Sequence, residues 1–170
     1  MHLACGPCIV RDWTASDRAS LVRFANNRNV WRNLEDRFPH PYTERDADEW
    51  LSVAAHASEP THWAIEVDGV AVGGIGVRRG EGIHEKTGII GYWLGEPYWG
   101  RGIATAAVHA TSEHVISRFR LVRLEASVFE WNPASMRVLE KCGFLREGVR
   151  RRSVLKDGRI IDSVLFARVV

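Results

Sequence analysis

A strand-like run that meets a helix-like run across two glycines is the feature that most limits how this chain of 170 residues can fold. Residues Ile89–Leu94 are typical of a β-strand, and residues Ile103–Arg118 of a helix. Gly100 and Gly102 lie between them and let backbone N–H groups crowd around one point. The first N–H groups of a helix lack internal partners and carry the positive end of its dipole. The junction therefore predicts an anion site suited to phosphate or pyrophosphate.

Composition indicates one ordinary globular domain over residues 1–170. The chain is 45% hydrophobic and 26% charged, which is enough to bury a core. Its net charge of +2 is too small to argue for nucleic-acid binding. No apolar run reaches the roughly 18 residues of a membrane helix, and the N-terminus lacks the pattern of a secretory signal. We therefore expect a cytoplasmic protein.

Hydrophobic periodicity and turn residues predict a mixed α/β domain. The predicted strands are Cys8–Asp12, His62–Val67, Val70–Val77, Lys86–Leu94, Val122–Phe129, Phe144–Leu155 and Arg159–Val169. The predicted helices are Ser16–Asn27, Val30–Leu34, Thr43–Ala57, Ile103–Arg118 and Asn132–Cys142. The first of these helices is expected to bury the face formed by Ala19, Leu21, Val22, Phe24 and Ala25. Asp46 is expected to complete a capping box with Thr43.

Two further motifs suggest functions that we do not adopt. Cys5-Gly6-Pro7-Cys8 looks like a thioredoxin redox motif, but a strand follows it and none precedes it. We interpret it as a flexible N-terminal segment with reduced thiols. The sequence has no second pair of metal ligands to complete a site with these cysteines, so we predict no metal site. Gly73-Gly74-Ile75-Gly76 is followed by a polar loop rather than a helix, which favours a strand that bulges or approaches another backbone closely.

Four strings occur in order along the chain: Gly91-Tyr92-Trp93-Leu94-Gly95, Tyr98-Trp99-Gly100-Arg101-Gly102-Ile103-Ala104-Thr105, Asn132-Pro133-Ala134-Ser135 and Val138-Leu139-Glu140-Lys141-Cys142-Gly143-Phe144. Together they resemble the GNAT superfamily of N-acetyltransferases, most closely its ribosomal-protein N-terminal acetyltransferase (RimJ/RimL-like) branch. The resemblance implies a mixed, mostly antiparallel central sheet of six to seven strands flanked by helices. It also implies a splay between the fourth and fifth strands, and acetyl-CoA as the cosubstrate.

The same resemblance assigns the coenzyme to the glycine loop, the strand before it and an asparagine further on. The implied coenzyme-binding residues are Tyr92, Trp93, Leu94, Trp99, Gly100, Arg101, Gly102, Ile103, Ala104, Thr105 and Asn132. Trp99 stands where the superfamily usually has Gln or Arg, a change that the related branch tolerates. Asn132 is also a candidate helix N-cap, and the two roles are compatible.

For catalysis, the resemblance implies direct attack of a primary amine on acetyl-CoA in a ternary complex. Ser135 matches a serine of the ribosomal-protein branch and is expected to assist departure of the thiolate. Leu139 replaces the tyrosine that many members use as general acid, and Ile89 replaces a glutamate of the branch. We name Glu66 as a candidate base. The other candidates are Glu85, Glu130, His84 and Asp162.

The acceptor stays open between a protein N-terminal amine and a small polyamine, antibiotic or amino acid. A non-catalytic acyl-CoA-binding module is the third possibility, because Leu139 and Ile89 depart from the family pattern. We expect the substrate groove between the N-terminal helices and the closing hairpin. Its candidate residues are Trp31, Phe38, Tyr42, Trp131 and Arg150-Arg151-Arg152. We interpret these arginines as solvated strand charges, and expect neither a membrane nor a nucleic-acid partner.

Overall fold

A computed structural model describes residues 1–57, 59 and 61–170. In this part of the chain, one mixed sheet contains eight strands in the order β1-β2-β3-β4-β5-β6-β8-β7. The strands are β1 His2–Ala4, β2 Ile9–Arg11, β3 His62–Val67, β4 Val70–Arg79, β5 Thr87–Leu94, β6 Arg123–Phe129, β7 Leu145–Lys156 and β8 Arg159–Val169. The α-helices are α1 Arg18–Ala25, α2 Arg28–Trp31, α3 Glu44–His56, α4 Ile103–Phe119 and α5 Pro133–Lys141.

The predicted α/β class and the mostly antiparallel sheet are confirmed, but the count of six to seven strands is wrong. The extra strand is β1, which pairs antiparallel with β2. A two-residue turn joins them, with Gly6 at φ +79° and the Cys5 N–H donating to the Cys8 carbonyl at 2.8 Å. The N-terminal segment that we interpreted as flexible is therefore a hairpin. Strand β1 includes no β-branched side chain, whereas β2 has Ile9 and Val10, which favour a strand.

Helix α1 begins later than predicted, at Arg18, because the preceding residues Ala15–Asp17 form a 3-10 turn. Thr14 caps that turn through a capping box with Asp17. Ala19 is exposed, so the predicted buried face of this helix is wrong at that position. Side-chain carboxylates at the start of a helix satisfy N–H groups that have no intrahelical partner.

Helix α2 spans Arg28–Trp31 rather than Val30–Leu34. Its start is set by Asn27, whose Oδ1 accepts from the N–H groups of Asn29 and Val30 at 2.7 and 3.2 Å. The asparagine cap therefore moves the helix toward the N-terminus. The other predicted helices and strands agree with the structure to within two residues at each end.

Two compact units make up the chain, and the strands β4 and β5 and the helix α4 each contribute to both. The first unit comprises Met1–Gly76 and Tyr92–Ala107, and the second comprises Val77–Gly91 and Val108–Val170. The first has a core cluster built from Trp13, Leu21, Ala25, Tyr42, Ala47, Leu51, Ala64 and Ala71. Buried apolar residues of the second include Val115, Leu124, Ala126, Leu139, Phe144, Val164 and Phe166. The single domain over residues 1–170 stays a prediction.

The pairing of β5 with β6 is parallel and short. Its registered pairs are Thr87–Arg123, Gly88–Leu124 and Ile89–Glu125, and the two strands continue past the last pair to Leu94 and Phe129. These are the fourth and fifth of the strands predicted from the sequence, between which we expected a splay.

Within the described residues, no helix combines the length and the apolar character needed to cross a bilayer.

A three-membered ion cluster fastens β2 to β3 and to the turn before α1. Arg11 donates to both carboxylate oxygens of Asp17, each at 2.8 Å, and its Nε donates to Glu66. The Thr14 N–H donates to Asp17 at 2.9 Å. Burial raises the pKa of Asp17, but the hydrogen bonds and the charge of Arg11, with the Thr14 N–H, outweigh burial and hold that pKa below its usual value.

We expect Asp17→Ala to lower the free energy of unfolding at pH 7 by about 3 kcal/mol, because it leaves a largely buried guanidinium with one carboxylate partner instead of two. The Asp17 pKa is lower in the folded than in the unfolded chain, so its stabilisation is present above about pH 4 and is lost as the pH falls through the folded pKa. The difference between the wild type and the variant should therefore shrink below pH 4. Urea unfolding at pH 7 and pH 3 measures it.

Asp48→Ala is the matched control, because Asp48 also pairs with an arginine, Arg18, but on the surface. Solvent screens such a pair, so we expect little change in stability at either pH. Equal stability of the wild type and Asp17→Ala at pH 7 would contradict the importance of the buried cluster.

Candidate functional site

The loop between β5 and α4 combines a short 3-10 turn, Glu96–Tyr98, with two glycines in the left-handed region. Gly100 has φ +73° and Gly102 has φ +76°, values that other L-residues rarely adopt. A Cβ added to either glycine would meet no atom within 4 Å. Backbone conformation, rather than crowding by neighbouring residues, therefore sets the requirement for glycine here. Helix α4 starts directly after Gly102, so its first N–H groups follow the loop.

Trp99 closes this loop onto the end of strand β5. Its indole Nε1 donates to the Leu94 carbonyl at 2.7 Å, while 44% of the residue remains exposed. Leu94 is buried, so a carbonyl at the end of its strand needs a donor from elsewhere in the chain. A glutamine or arginine side chain also carries N–H donors, which gives a physical reason why tryptophan is accepted at this position.

A polar network that the sequence did not reveal ties the same loop to the start of α2. Glu96 accepts from the side-chain Nδ2 of Asn27 at 2.7 Å and from Nδ2 of Asn29 at 3.0 Å. The hydrogen bond from Asn27, followed by that from Asn29, lowers the pKa of Glu96. Asn27 is 69 positions from Glu96 along the chain, so the spacing of the sequence does not reveal this contact.

Arg101 lies over the ring of Tyr98, with its Cζ 5.3 Å from the ring centroid. The Tyr98 ring in turn contacts Phe24 of α1 edge to face, at 5.4 Å between centroids. Such cation–π contacts hold a guanidinium in place without neutralising its charge. Arg101 stands between the two loop glycines in sequence, and its positive charge lies over Tyr98.

The strand before the loop lies close to its neighbour β4. A Cβ on Gly73 would fall 2.4 Å from the Trp93 carbonyl oxygen, so only glycine fits there. The Gly95 N–H continues the contact by donating to the Val72 carbonyl at 2.7 Å. The interpretation of Gly73 as a strand glycine in close approach to another backbone is confirmed, whereas the coenzyme contacts of Tyr92, Trp93 and Leu94 stay predictions.

The N-terminal hairpin contacts the first residue of α4. Cys8 is buried, and its Sγ donates to the Ile103 carbonyl at 3.8 Å. Burial, together with the neighbouring Cys5, raises the pKa of Cys8 to about 12. Since the thiolate is the reactive form, these thiols are not activated for redox chemistry. Among the described residues, no group of three His, Cys, Asp or Glu side chains is placed to hold a metal ion.

In the second unit, Asn132 and Ser135 meet at the start of α5. Asn132 Oδ1 accepts from the Ser135 N–H at 3.2 Å, and Pro133 occupies the first helical position. The predicted cap is confirmed, and it uses only the carbonyl end of the asparagine. Within the described residues, Asn132 Nδ2 has no hydrogen-bond partner. Leu139 is fully buried in the core of this unit, so its side chain is occupied by packing.

The candidate bases have structural partners of different kinds. Glu66 is 17% exposed and forms an ion pair with Arg11, which brings it together with Asp17. Asp162 accepts from the Arg152 N–H at 2.7 Å. Their catalytic roles stay predictions.

Of the predicted groove residues, those of the first unit pack with one another or with nearby rings. Phe38 lies 5.1 Å from Tyr42 and 5.5 Å from Trp93, and Trp31 stacks on His40 at 5.5 Å. In the second unit, Arg159 lies over the Trp131 ring, and the three arginines 150–152 are exposed. The groove itself stays a prediction.

A model of the family described as Acetyltransferase (GNAT) domain matches residues 8–145. YjcK of Bacillus subtilis (strain 168) is 42% identical over 82 residues, which are 48% of this chain and 45% of YjcK. The ribosomal-protein-serine acetyltransferase of Escherichia coli (strain K12) is 33% identical over 85 residues, 50% of this chain and 48% of that protein. Mycobacterium smegmatis RimJ, solved in complex with CoA-disulfide, has a TM-score of 0.82 at 28% identity, covering 98% of this chain and 83% of that chain.

This chain thus spans about half the length of these two curated relatives, whereas its fold is similar to that of RimJ over nearly its whole length. The likeness in backbone thus extends through both units.

We expect Asn27→Asp to destabilise the loop that follows β5. The substitution keeps the oxygen that caps α2 but replaces the donor to Glu96 with a second carboxylate. Like charges at hydrogen-bond distance raise the Glu96 pKa and weaken the contact. Thermal unfolding at pH 7 should show a melting temperature lower by a few degrees, and the loss should diminish when both carboxylates are protonated near pH 3.

Asn26→Asp is the matched control. Asn26 uses its Oδ1 to accept from the Tyr42 N–H at 3.1 Å, a role that an aspartate fills equally well. A loss of the same size in both variants would mean that the added charge, rather than the contact with Glu96, causes the effect.

Proposed function

Because the chain belongs to the acetyltransferase (GNAT) domain family, we propose that it transfers the acetyl group of acetyl-CoA to a primary amine. The observation that carries the proposal is the loop before α4, where Gly100 and Gly102 both have left-handed φ and Arg101 lies between them. A loop of this kind at a helix N-terminus presents backbone donors and positive charge to a pyrophosphate.

The coenzyme is bound by backbone more than by side chains in this proposal. The N–H groups of Gly100, Gly102, Ile103 and Ala104 donate to the pyrophosphate, with Trp99, Arg101 and Thr105 lining the same loop. The pantetheine arm pairs with the backbone of Tyr92–Leu94 in the manner of an added strand. In the second unit, the Nδ2 group of Asn132 is the donor that its capping role leaves for the pantetheine amide.

In the reaction, the amine nitrogen attacks the thioester carbon, a C–N bond forms and the C–S bond breaks. A backbone N–H of Trp93 or Leu94 stabilises the tetrahedral oxyanion. Ser135 donates a hydrogen bond to the departing sulfur, which takes up the proton that the nitrogen releases after the C–N bond has formed. A free α-amine has a pKa near roughly 8, so part of it is unprotonated at neutral pH. We assign the earlier loss of a proton from the ammonium form to water, because Arg11 already holds Glu66 in an ion pair.

We infer that the acceptor is the N-terminal amine of a protein. The relative named as a ribosomal-protein-serine acetyltransferase supports this choice. A thiol-release assay tests it with serine- and alanine-initiated peptides beside a polyamine, an aminoglycoside and free amino acids. Turnover of peptides above all other amines is expected. Saturable coenzyme binding without turnover on any amine would instead indicate a binding module.

Gly102→Ala should weaken the binding of coenzyme A about tenfold. A side chain forced to φ +76° costs about 1–2 kcal/mol, and relief of that strain rotates the N–H donors away from the pyrophosphate. Isothermal titration with coenzyme A measures the change.

Gly148→Ala is the matched control, since an added Cβ there also meets nothing within 4 Å and its φ lies outside the left-handed region. We expect its affinity for coenzyme A to equal that of the wild type. An unchanged affinity of Gly102→Ala would contradict the proposed phosphate loop.

Ser135→Ala should lower kcat by about fivefold with the affinity for coenzyme A unchanged, since one hydrogen bond to the leaving sulfur is worth about 1 kcal/mol. Ser117→Ala, at an exposed position of α4, is the control and should leave kcat as it is. A full kcat in Ser135→Ala would show that the thiolate leaves without this serine.

A further inference from the structure

Three consecutive arginines form an irregular segment of the strand β7, which lies at the edge of the sheet. We call residues 150–152 the arginine bulge. Arg150 pairs with Ser163 of β8 and Val154 pairs with Ile161, so three residues of β7 oppose one of β8. All three arginines are exposed, and within the described residues none of them forms an ion pair. Three consecutive positive charges on this strand are therefore exposed to solvent without neutralising partners.

The bulge is held in shape by its own hydrogen bonds. Arg152 has φ +51°, a left-handed value that is uncommon for a residue with a side chain. Its N–H donates to the Asp162 carboxylate at 2.7 Å. Ser153 Oγ donates to the Arg150 carbonyl at 2.9 Å and lies 3.0 Å from Ser163 Oγ. Bulges of this kind redirect side chains, and they occur often beside active sites.

The residue that fixes the bulge also holds the turn before α5. The backbone carbonyl of Asp162 accepts from the Glu130 N–H at 3.1 Å, and the Asn132 N–H donates to the Phe129 carbonyl at 2.9 Å. Arg159 adds a further charge beside this turn, 5.5 Å over the Trp131 ring. The arginine bulge and the asparagine that we propose as a coenzyme ligand are thus connected through one residue of β8.

We propose that the arginine bulge binds acidic residues near the N-terminus of the protein that is acetylated. The proposal rests on the function proposed above. Guanidinium groups form paired hydrogen bonds with carboxylates, and consecutive arginines match a run of Asp or Glu. Asp162 connects the bulge to Glu130, two residues before the asparagine that we propose as a coenzyme ligand. Because an extended peptide spans about 3.3 Å per residue, the acidic residues are expected within the first several residues after the amine.

Protection of an exposed sheet edge is the competing explanation, because charges and bulges both prevent edge-to-edge association. Arg146 separates the two explanations. It lies on the same strand, is exposed and carries the same charge, but it is outside the bulge. Edge protection involves Arg146 as much as the bulge, whereas recognition of an acidic peptide depends on the bulge alone.

Thiol-release kinetics with three serine-initiated peptides of equal length test the proposal. The peptides carry Glu, Gln or Lys at positions three to six. For the wild type, we expect kcat/KM to be at least tenfold higher with the Glu peptide than with the Gln peptide. The difference should arise from a lower KM, and it should disappear at high salt. Arg150→Glu/Arg151→Glu should reverse the order in favour of the Lys peptide. Arg146→Glu should retain the wild-type order.

Equal kcat/KM for the Glu and Gln peptides, or the same loss in Arg146→Glu as in the double variant, would overturn the proposal. Stronger inhibition of peptide turnover by a single-stranded RNA oligonucleotide than by the unreactive N-acetylated Glu peptide would also overturn it. Failure of the proposed function has a different signature, because no amine then turns over. In that case, fluorescence anisotropy still tests the role of the bulge by measuring how labelled Glu and Gln peptides bind to the coenzyme-loaded protein. Tighter binding of the Glu peptide supports the proposal, and equal binding of the two peptides rejects it.

Discussion

The carbonyl of Leu94 must find a hydrogen-bond donor where strand β5 ends, and the loop that follows depends on how it does so. Leu94 is buried, and a buried carbonyl without a donor is costly. The Trp99 indole supplies the donor at 2.7 Å and folds the intervening residues back onto the strand. Gly100 and Gly102 then follow with left-handed φ, and α4 begins at Ile103. The hydrogen bond between Trp99 and Leu94 therefore fixes the N-terminal end of the proposed phosphate loop.

Two asparagines each use the oxygen of the side-chain amide to cap a helix, which leaves the amide nitrogen for another role. Asn27 caps α2 with its carbonyl oxygen and uses its amide nitrogen to hold Glu96 beside the loop. Asn132 caps α5 with its carbonyl oxygen. Asparagine suits both places because one side chain carries an acceptor and two donors. In each case the cap on the helix fixes the orientation of the side-chain amide.

Most of the local structure could be predicted because it depends on residues close in sequence. The capping box of Thr43 and Asp46 and the proline-started helix after Asn132 were both expected and are both present. The resemblance to the GNAT family is confirmed by the match over residues 8–145. Strand β1 was missed because it pairs only with β2 across a tight turn and, unlike β2, has no β-branched residue.

The sequence by itself determined the family, the order of most elements and the position of the glycine loop, because these depend on short-range periodicity and on motifs with fixed spacing. Tertiary structure alone decided the partners of polar and charged side chains. It joined Glu66 to Arg11 across 55 positions and Glu96 to Asn27 across 69. It also turned residues 150–152 from an apparently ordinary run of strand charges into a fixed bulge held by Asp162. Such contacts form between segments that only the folded sheet brings together, so spacing along the chain does not reveal them.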